Sequence, residues 1–192
     1  MYRGTRCIVT HSGDHTHRVL AAFHPLSFIE KSPMHPNEQL LTKLFSCFNA
    51  HDHKGMAECY ADDATFQDIA FTLTNKKQIH AMWSMACSDS KAGVKSDITA
   101  TVKELSANDS TGRVVVIDDY TFRDTGRKVH NQIVSRFEFR GGKIIRQTDD
   151  CDAAAWARQA FGGLSGFVAG HIGFVRRSKA MKKLKSERPG AF

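Results

Sequence analysis

Two aspartates stand where an acid is costly to keep. Asp68 follows Ala64 and Phe66 at intervals of two in the run ADDATFQDIAF, so a strand there places it among apolar neighbours. Asp149 closes the run GGKIIRQTD, in step with Ile145 and Gln147. A carboxyl held among apolar side chains resists ionisation, which moves its pKa toward neutrality, where it can take or give a proton. Asp68 and Asp149 are therefore the expected acid/base groups. The stretch 112–123 carries Val114, Val116, Asp118, Tyr120 and Phe122 on one face. The stretch 127–140 carries Val129, Asn131, Ile133, Ser135, Phe137 and Phe139 likewise. Asp118, Tyr120, Asn131 and Ser135 are expected to orient a substrate, with Phe66 and Trp83 lining its site. An apolar hollow with a few convergent polar groups is the usual form of a small-molecule site, here for a small apolar molecule. Plainer roles stand beside these. Asp62 and Asp63 suit a turn, Asp149 could satisfy a backbone donor, and Tyr60, Trp83 and Tyr120 could serve packing alone. His80 and His130 read first as structural.

The elements that must position these residues are legible from periodicity. NEQLLTKLFSCFNA, capped by Asn37 after the stop at Pro36, repeats apolar residues at helical spacing. A short helix over about His53 to Tyr60 follows, then a turn and the strand bearing Asp68. NKKQIHAMWSMACS (75–88) is a third helix presenting Ile79, Met82, Trp83 and Ala86. The period then switches to two. Residues 96–107, 112–123, 127–140 and 143–150 read as strands, separated by turn signals at Asn108-Asp109, Asp124-Thr125-Gly126 and Gly141-Gly142. Connections that short require antiparallel neighbours. A last helix starts near Asp152. The expected class is α+β, with three N-terminal helices packed on one face of a curved antiparallel sheet.

Charge separates the chain into a neutral body and a basic end. Of 27 Lys+Arg and 20 Asp+Glu, residues 171–192 hold seven and one; the preceding residues are nearly balanced. Residues 37–160 form the expected domain, and 161–192 a Gly-rich apolar segment and basic tail. The apolar run 160–175 is shorter than the roughly 20 residues that span a bilayer. With Ala180, Met181 and Leu184 along one side, the basic stretch reads as a solvated or domain-covering helix, with weak contact with a membrane surface as the alternative. No reading motif or stacking platform accompanies the charge, so no specific nucleic-acid partner is expected. Residues 1–36, with five histidines and three prolines and no sustained periodicity, read as a disordered extension. No cofactor is expected. The cysteines (Cys7, Cys47, Cys59, Cys87, Cys151) are scattered and odd in number, which fits neither a zinc site nor a disulfide scaffold and suggests reduced thiols in a cytoplasmic protein.

The run FNAHDHKGMAECYADDATFQD, then NKKQIHAMW, then the hairpins ending RFEFRGGKIIRQTDDCD resembles the nuclear transport factor two-like superfamily. Within it the resemblance is to SnoaL-like polyketide cyclases and ketosteroid isomerases. It implies a cone, or α+β roll, wrapped around a pocket, and a homodimer through the exposed sheet face. Asp68 matches the isomerases' proton-shuttling base, and Asp149 the cyclases' acid/base aspartate. Asp149 and, more loosely, Asp118 fall near the aspartate pair that activates water in the epoxide hydrolases of this fold. The departures matter equally. Leu44 stands where the isomerases place an oxyanion-stabilising tyrosine. Ser135 stands where they place a protonated aspartate and the cyclases a histidine, and Val116 where the hydrolases place an arginine. Loss of an oxyanion donor costs about 2.7–4 kcal/mol in a transition state, which argues against steroid isomerisation of the known type. Two expectations follow: a cofactor-independent acid/base enzyme (isomerase, cyclase, dehydratase or epoxide hydrolase), or a non-catalytic ligand-binding or dimerisation module.

Overall fold

The computed structural model describes residues 33–88, 96–163 and 173–192; the predicted N-terminal extension to Ser32 lies outside them. The first helix, α1 (Pro36–Asn49), begins one residue before the expected cap. Pro36 is the first helical residue, where its missing N–H costs nothing. His35 is the N-cap: its Nδ1 accepts from the Asn37 N–H while Glu38 reaches back to the His35 N–H. Asn37 instead turns inward, and its amide donates to the carbonyls of Asn108 and Asp109. Helix α2 (His53–Glu58) is capped by Asp52, which accepts from Gly55 N–H. Strand β1 (Tyr60–Gln67) follows at once, with Asp62 and Asp63 on its exposed side, paired to Lys76 and Arg140, where a turn was expected.

β1 ends one residue before Asp68. The chain reverses through residues 68–71 into a two-residue strand absent from the sequence reading, β2 (Thr72–Leu73). Helix α3 (Lys76–Cys87), capped by Asn75, leads to β3 (Thr99–Ala107), β4 (Thr111–Phe122), β5 (Arg127–Arg140) and β6 (Lys143–Cys151). The six strands form one curved sheet in the order β2-β1-β6-β5-β4-β3. Its hairpins are antiparallel as expected, but β1 lies parallel to β6, so the sheet is mixed. Gly141 and Gly142, both at positive φ, make the β5–β6 turn, a conformation open to residues without a Cβ. Register shifts at Tyr60/Thr65, Val102/Glu104 and Glu138/Phe139 act as bulges that bend strands. The last of these changes the phase of β6: Ile144, not Ile145, is fully buried, while Gln147 stays inward as expected.

The principal core fills the space between the helices and the inner sheet face, with Leu41, Leu44, Phe48, Met56, Tyr60, Phe66, Ile79, Val114, Val116, Phe137 and Ile144 buried. Helix α4 (Ala153–Phe161), capped by Asp152, closes the far end through Trp156, Ala157 and Ala160 against Val129. Trp156 and Phe161 meet Phe122 edge-on, at 5.7 and 5.1 Å between ring centres. Helix α5 (Gly173–Glu187) and a short 3-10 turn (Pro189–Ala191) end the chain. The basic tail is thus largely helix α5. Leu184 is fully buried in the principal core, with Met181 packed beside it. Among the described residues no helix is long and apolar enough to cross a membrane.

Candidate active site

Cross-strand register brings most of the predicted polar residues together on the inner face. Asp149 of β6 lies opposite Ser135 of β5, and Asp118 of β4 opposite Asn131 of β5. β5 thus separates two carboxylates and presents a small polar side chain to each. Ser135 and Asn131 are both buried.

Asp149 is held. Gln147, two residues earlier on the same face, donates Nε2–H to both Asp149 oxygens at 3.0 Å, and Ser135 adds a hydroxyl. Gln147 is itself oriented by the fully buried Tyr60, whose hydroxyl donates to Gln147 Oε1 and leaves only the amide N–H groups for Asp149. Burial pushes the Asp149 carboxyl up to about 7; the Gln147 and Ser135 hydrogen bonds draw it down, and the charges of Asp68 and Asp150 add to the rise. Asp118 has no such support. No hydrogen bond reaches its carboxylate among the described residues, and burial, then the charges of Asp149 and Asp119, pushes it up to about 8. The charge of Asp149 adds to the rise at Asp118, so ionising the first makes ionising the second costlier.

Asp68 is otherwise engaged. Lying after β1 instead of within it, it closes the β1–β2 turn: Oδ1 accepts from Ala70 N–H at 2.6 Å and Phe71 N–H at 2.5 Å. Those amides draw its pKa down, yet burial is stronger and leaves it at about 6. An Asx-type turn is a structural task that occupies one oxygen.

Tyr120 is positioned by a residue that the sequence reading had used only as helix. Trp156 Nε1 donates to the Tyr120 hydroxyl at 2.6 Å, which leaves the phenolic proton free to donate elsewhere. Burial, opposed by that bond, pushes Tyr120 up to about 12, so it stays a neutral donor. Trp83 stacks edge-on against Phe48 and Phe66 at 5.6 and 5.7 Å, and its buried Nε1 lacks a well-formed hydrogen bond. Asn131 bonds the Cys151 thiol, whose pKa burial raises. Among the described residues, no group of three or more His, Cys, Asp or Glu stands in metal-binding geometry. His80 pairs with His53 at 2.8 Å and His130 with Asp119 at 2.7 Å. Two depressions open on the surface of the described residues. The first is lined by Asp62, Asn75, Lys76, Lys77 and His80, the second by Asp97, Asp119, Tyr120, Lys128 and Gln159. Neither includes Asp68 or Asp149.

Residues 41–147 match the family model of the SnoaL-like domain. No curated protein matches the sequence. Solved structures share the fold at low identity. One is a hypothetical protein of ketosteroid isomerase-like fold from Catenulispora acidiphila, in complex with trimethylamine. It has a TM-score of 0.55 and 13% identity, over 64% of this chain and 92% of that one. A second is an epoxide hydrolase of M. tuberculosis (TM-score 0.54, 11% identity, 73% and 95% covered). A third is a computationally designed 17-OHP binder (TM-score 0.51, 19% identity, 60% and 91% covered). At these identities the likeness extends to the fold.

Proposed function

We propose a function from the premise that the chain belongs to the SnoaL-like domain family: it is an acid/base catalyst acting on a small, largely apolar molecule held within the cone. The observation that carries this reading is the pair Asp118 and Asp149, set on β4 and β6 with β5 between them, both raised into the neutral range. In such a pair the ionised carboxylate takes a proton from water or from an acidic C–H. The protonated partner gives one to the oxygen that gains charge or leaves. Asp149, anchored by Gln147 and Ser135, suits the base, because its hydrogen bonds favour the charged form. Asp118, unsupported and higher, suits the acid. Tyr120 is placed to donate to a substrate oxygen, and Asn131 and Ser135 to orient it. Asp68 supports the site through its turn.

A second reading, a non-catalytic binding module, draws on the engagement of Asp68 by backbone amides and on the designed binder of the same fold. A second copy docking on the outer sheet face is part of either reading, and sedimentation analysis tests it. The deciding experiment is a thermal-shift screen of small apolar and oxygenated molecules, with every hit followed for conversion. Turnover by the parent and its loss in Asp149→Asn and Asp118→Asn supports the catalyst. Binding that survives both changes, with no hit converted, selects the module.

A further inference from the structure

Every basic residue of β4, β5 and β6 is exposed, β1 has none, and Val116 stands at the position expected for a cation. The site therefore carries three part-buried aspartates and no positive side chain from these strands. Helix α5 changes that balance. Arg176 Nε donates to the Ile69 carbonyl at 2.9 Å, and the Arg177 guanidinium donates to the Asp68 carbonyl at 3.3 Å. These carbonyls belong to the turn whose N–H groups, at Ala70 and Phe71, hold the Asp68 carboxylate. The turn is thus gripped from both sides, by its own aspartate and by two arginines distant in sequence. The grip is anchored further along the helix: Leu184 is buried in the core, Lys183 pairs with Asp124 at 2.7 Å, and Arg188 bonds Ser84 of α3.

We propose that Arg176 and Arg177 are positioning residues of the acid site, clamping the Asp68 turn and supplying the cationic wall that the sheet lacks. This rests on the reading of the cone as an acid/base site. The groups facing Asp68 are Arg176 and Arg177 from α5, Asp149 and Cys151 from β6, and Tyr120 from β4. Both arginines favour the ionised form of Asp68, and Arg176 favours that of Cys151 as well. No arginine acts in this way on Asp118. The clamp thereby splits the three acids: Asp68 is kept closest to ionised, while Asp118 and Asp149 hold their protons to higher pH. Of the charges at the tail's N-terminal end, Arg176 is part-buried and Arg177 reaches the turn from the surface.

The test is a carboxyl-carbon NMR titration of the full chain carrying Arg176→Gln with Arg177→Gln, beside the Arg176→Lys with Arg177→Lys pair. Removing the charges raises the Asp68 midpoint by about 1 pH unit, the lysines hold it near the parent value, and Asp118 moves least. An unmoved Asp68 midpoint in a folded glutamine variant overturns the proposal. The parent protein supplies a measurement should that variant fail to fold: the Arg176 Nε–H is slow to exchange with solvent. Free exchange there also overturns it. Neither measurement needs turnover, so loss of the catalytic reading through Asp118→Asn and Asp149→Asn is scored separately.

Discussion

Each carboxylate of the site differs from the others by what touches it. Asp149 accepts from Gln147 and Ser135, Asp68 from two backbone amides, and Asp118 from no hydrogen-bond donor among the described residues. Replacing Gln147 with Leu removes the donor that stabilises the charged form of Asp149. Its titration midpoint, read by carboxyl NMR, is expected to rise by about 1 pH unit. Tyr60→Phe should shift it less, since it frees Gln147 to rotate without deleting it. Asp118→Asn removes an acid that the folded state keeps protonated near neutral pH. It should therefore raise the melting temperature at pH 8.5 and leave it nearly unchanged at pH 4.5, a difference that scanning calorimetry resolves. Equal effects at both pH values would mean that Asp118 is ordinary in its ionisation.

The elements act as holders, and the least expected holder is α5. Leu184 is fully buried in the principal core, on a helix that packs beside α3, so Leu184→Ala should cost about 2–5 kcal/mol in urea unfolding. The neighbouring exposed Lys182→Ala should stay within about 0.5 kcal/mol. A tail that merely decorated the domain would make the two changes alike. Helix α2 gives a second check. A Cβ on Gly55 would stand 2.3 Å from Asp52 Oδ2 and 2.8 Å from Cys47 Sγ, so Gly55→Ala must displace the cap of its own helix. The expected loss is about 1 kcal/mol, the usual worth of an N-cap.

Over the whole molecule the buried acids invert the usual dependence of stability on pH. Unfolded, Asp68, Asp118 and Asp149 ionise near 3.8; folded, they keep their protons to about 6, 8 and 7. Between those values the native state binds more protons than the unfolded chain. Their stabilising contribution is fully present below about pH 4 and is lost as pH rises through 6 to 8. His80 works the other way: burial first, then His53, Lys54 and Lys76, lowers its pKa, so its contribution fades as pH falls below 6.5. Three acids outweigh one part-buried histidine, and the melting temperature should fall between pH 5 and pH 8.5. Each kcal/mol lost appears as about 2–4 °C. A rise over that interval would contradict the burial of the acid pair.

Local pattern determined much of this protein by itself. Alternation placed Asp118 and Tyr120 together on one face of β4 and Asn131 and Ser135 together on one face of β5, and turn residues between the hairpins made neighbouring strands antiparallel. Those are short-range consequences of a period-two backbone and of glycines that accept positive φ. The tertiary structure decided what alternation cannot count. A bulge shifted the inward residue of β6 from Ile145 to Ile144, because one unpaired residue reverses which face follows. Asp68 left its strand once its carboxylate could satisfy the amides of Ala70 and Phe71. The Tyr60–Gln147 and Trp156–Tyr120 bonds join residues 87 and 36 positions apart. Charge arithmetic correctly gathered the basic residues into one segment. Only folding showed what that helix packs against, because burying Leu184 and satisfying two turn carbonyls depend on the rest of the fold, the carbonyls lying more than 100 residues away.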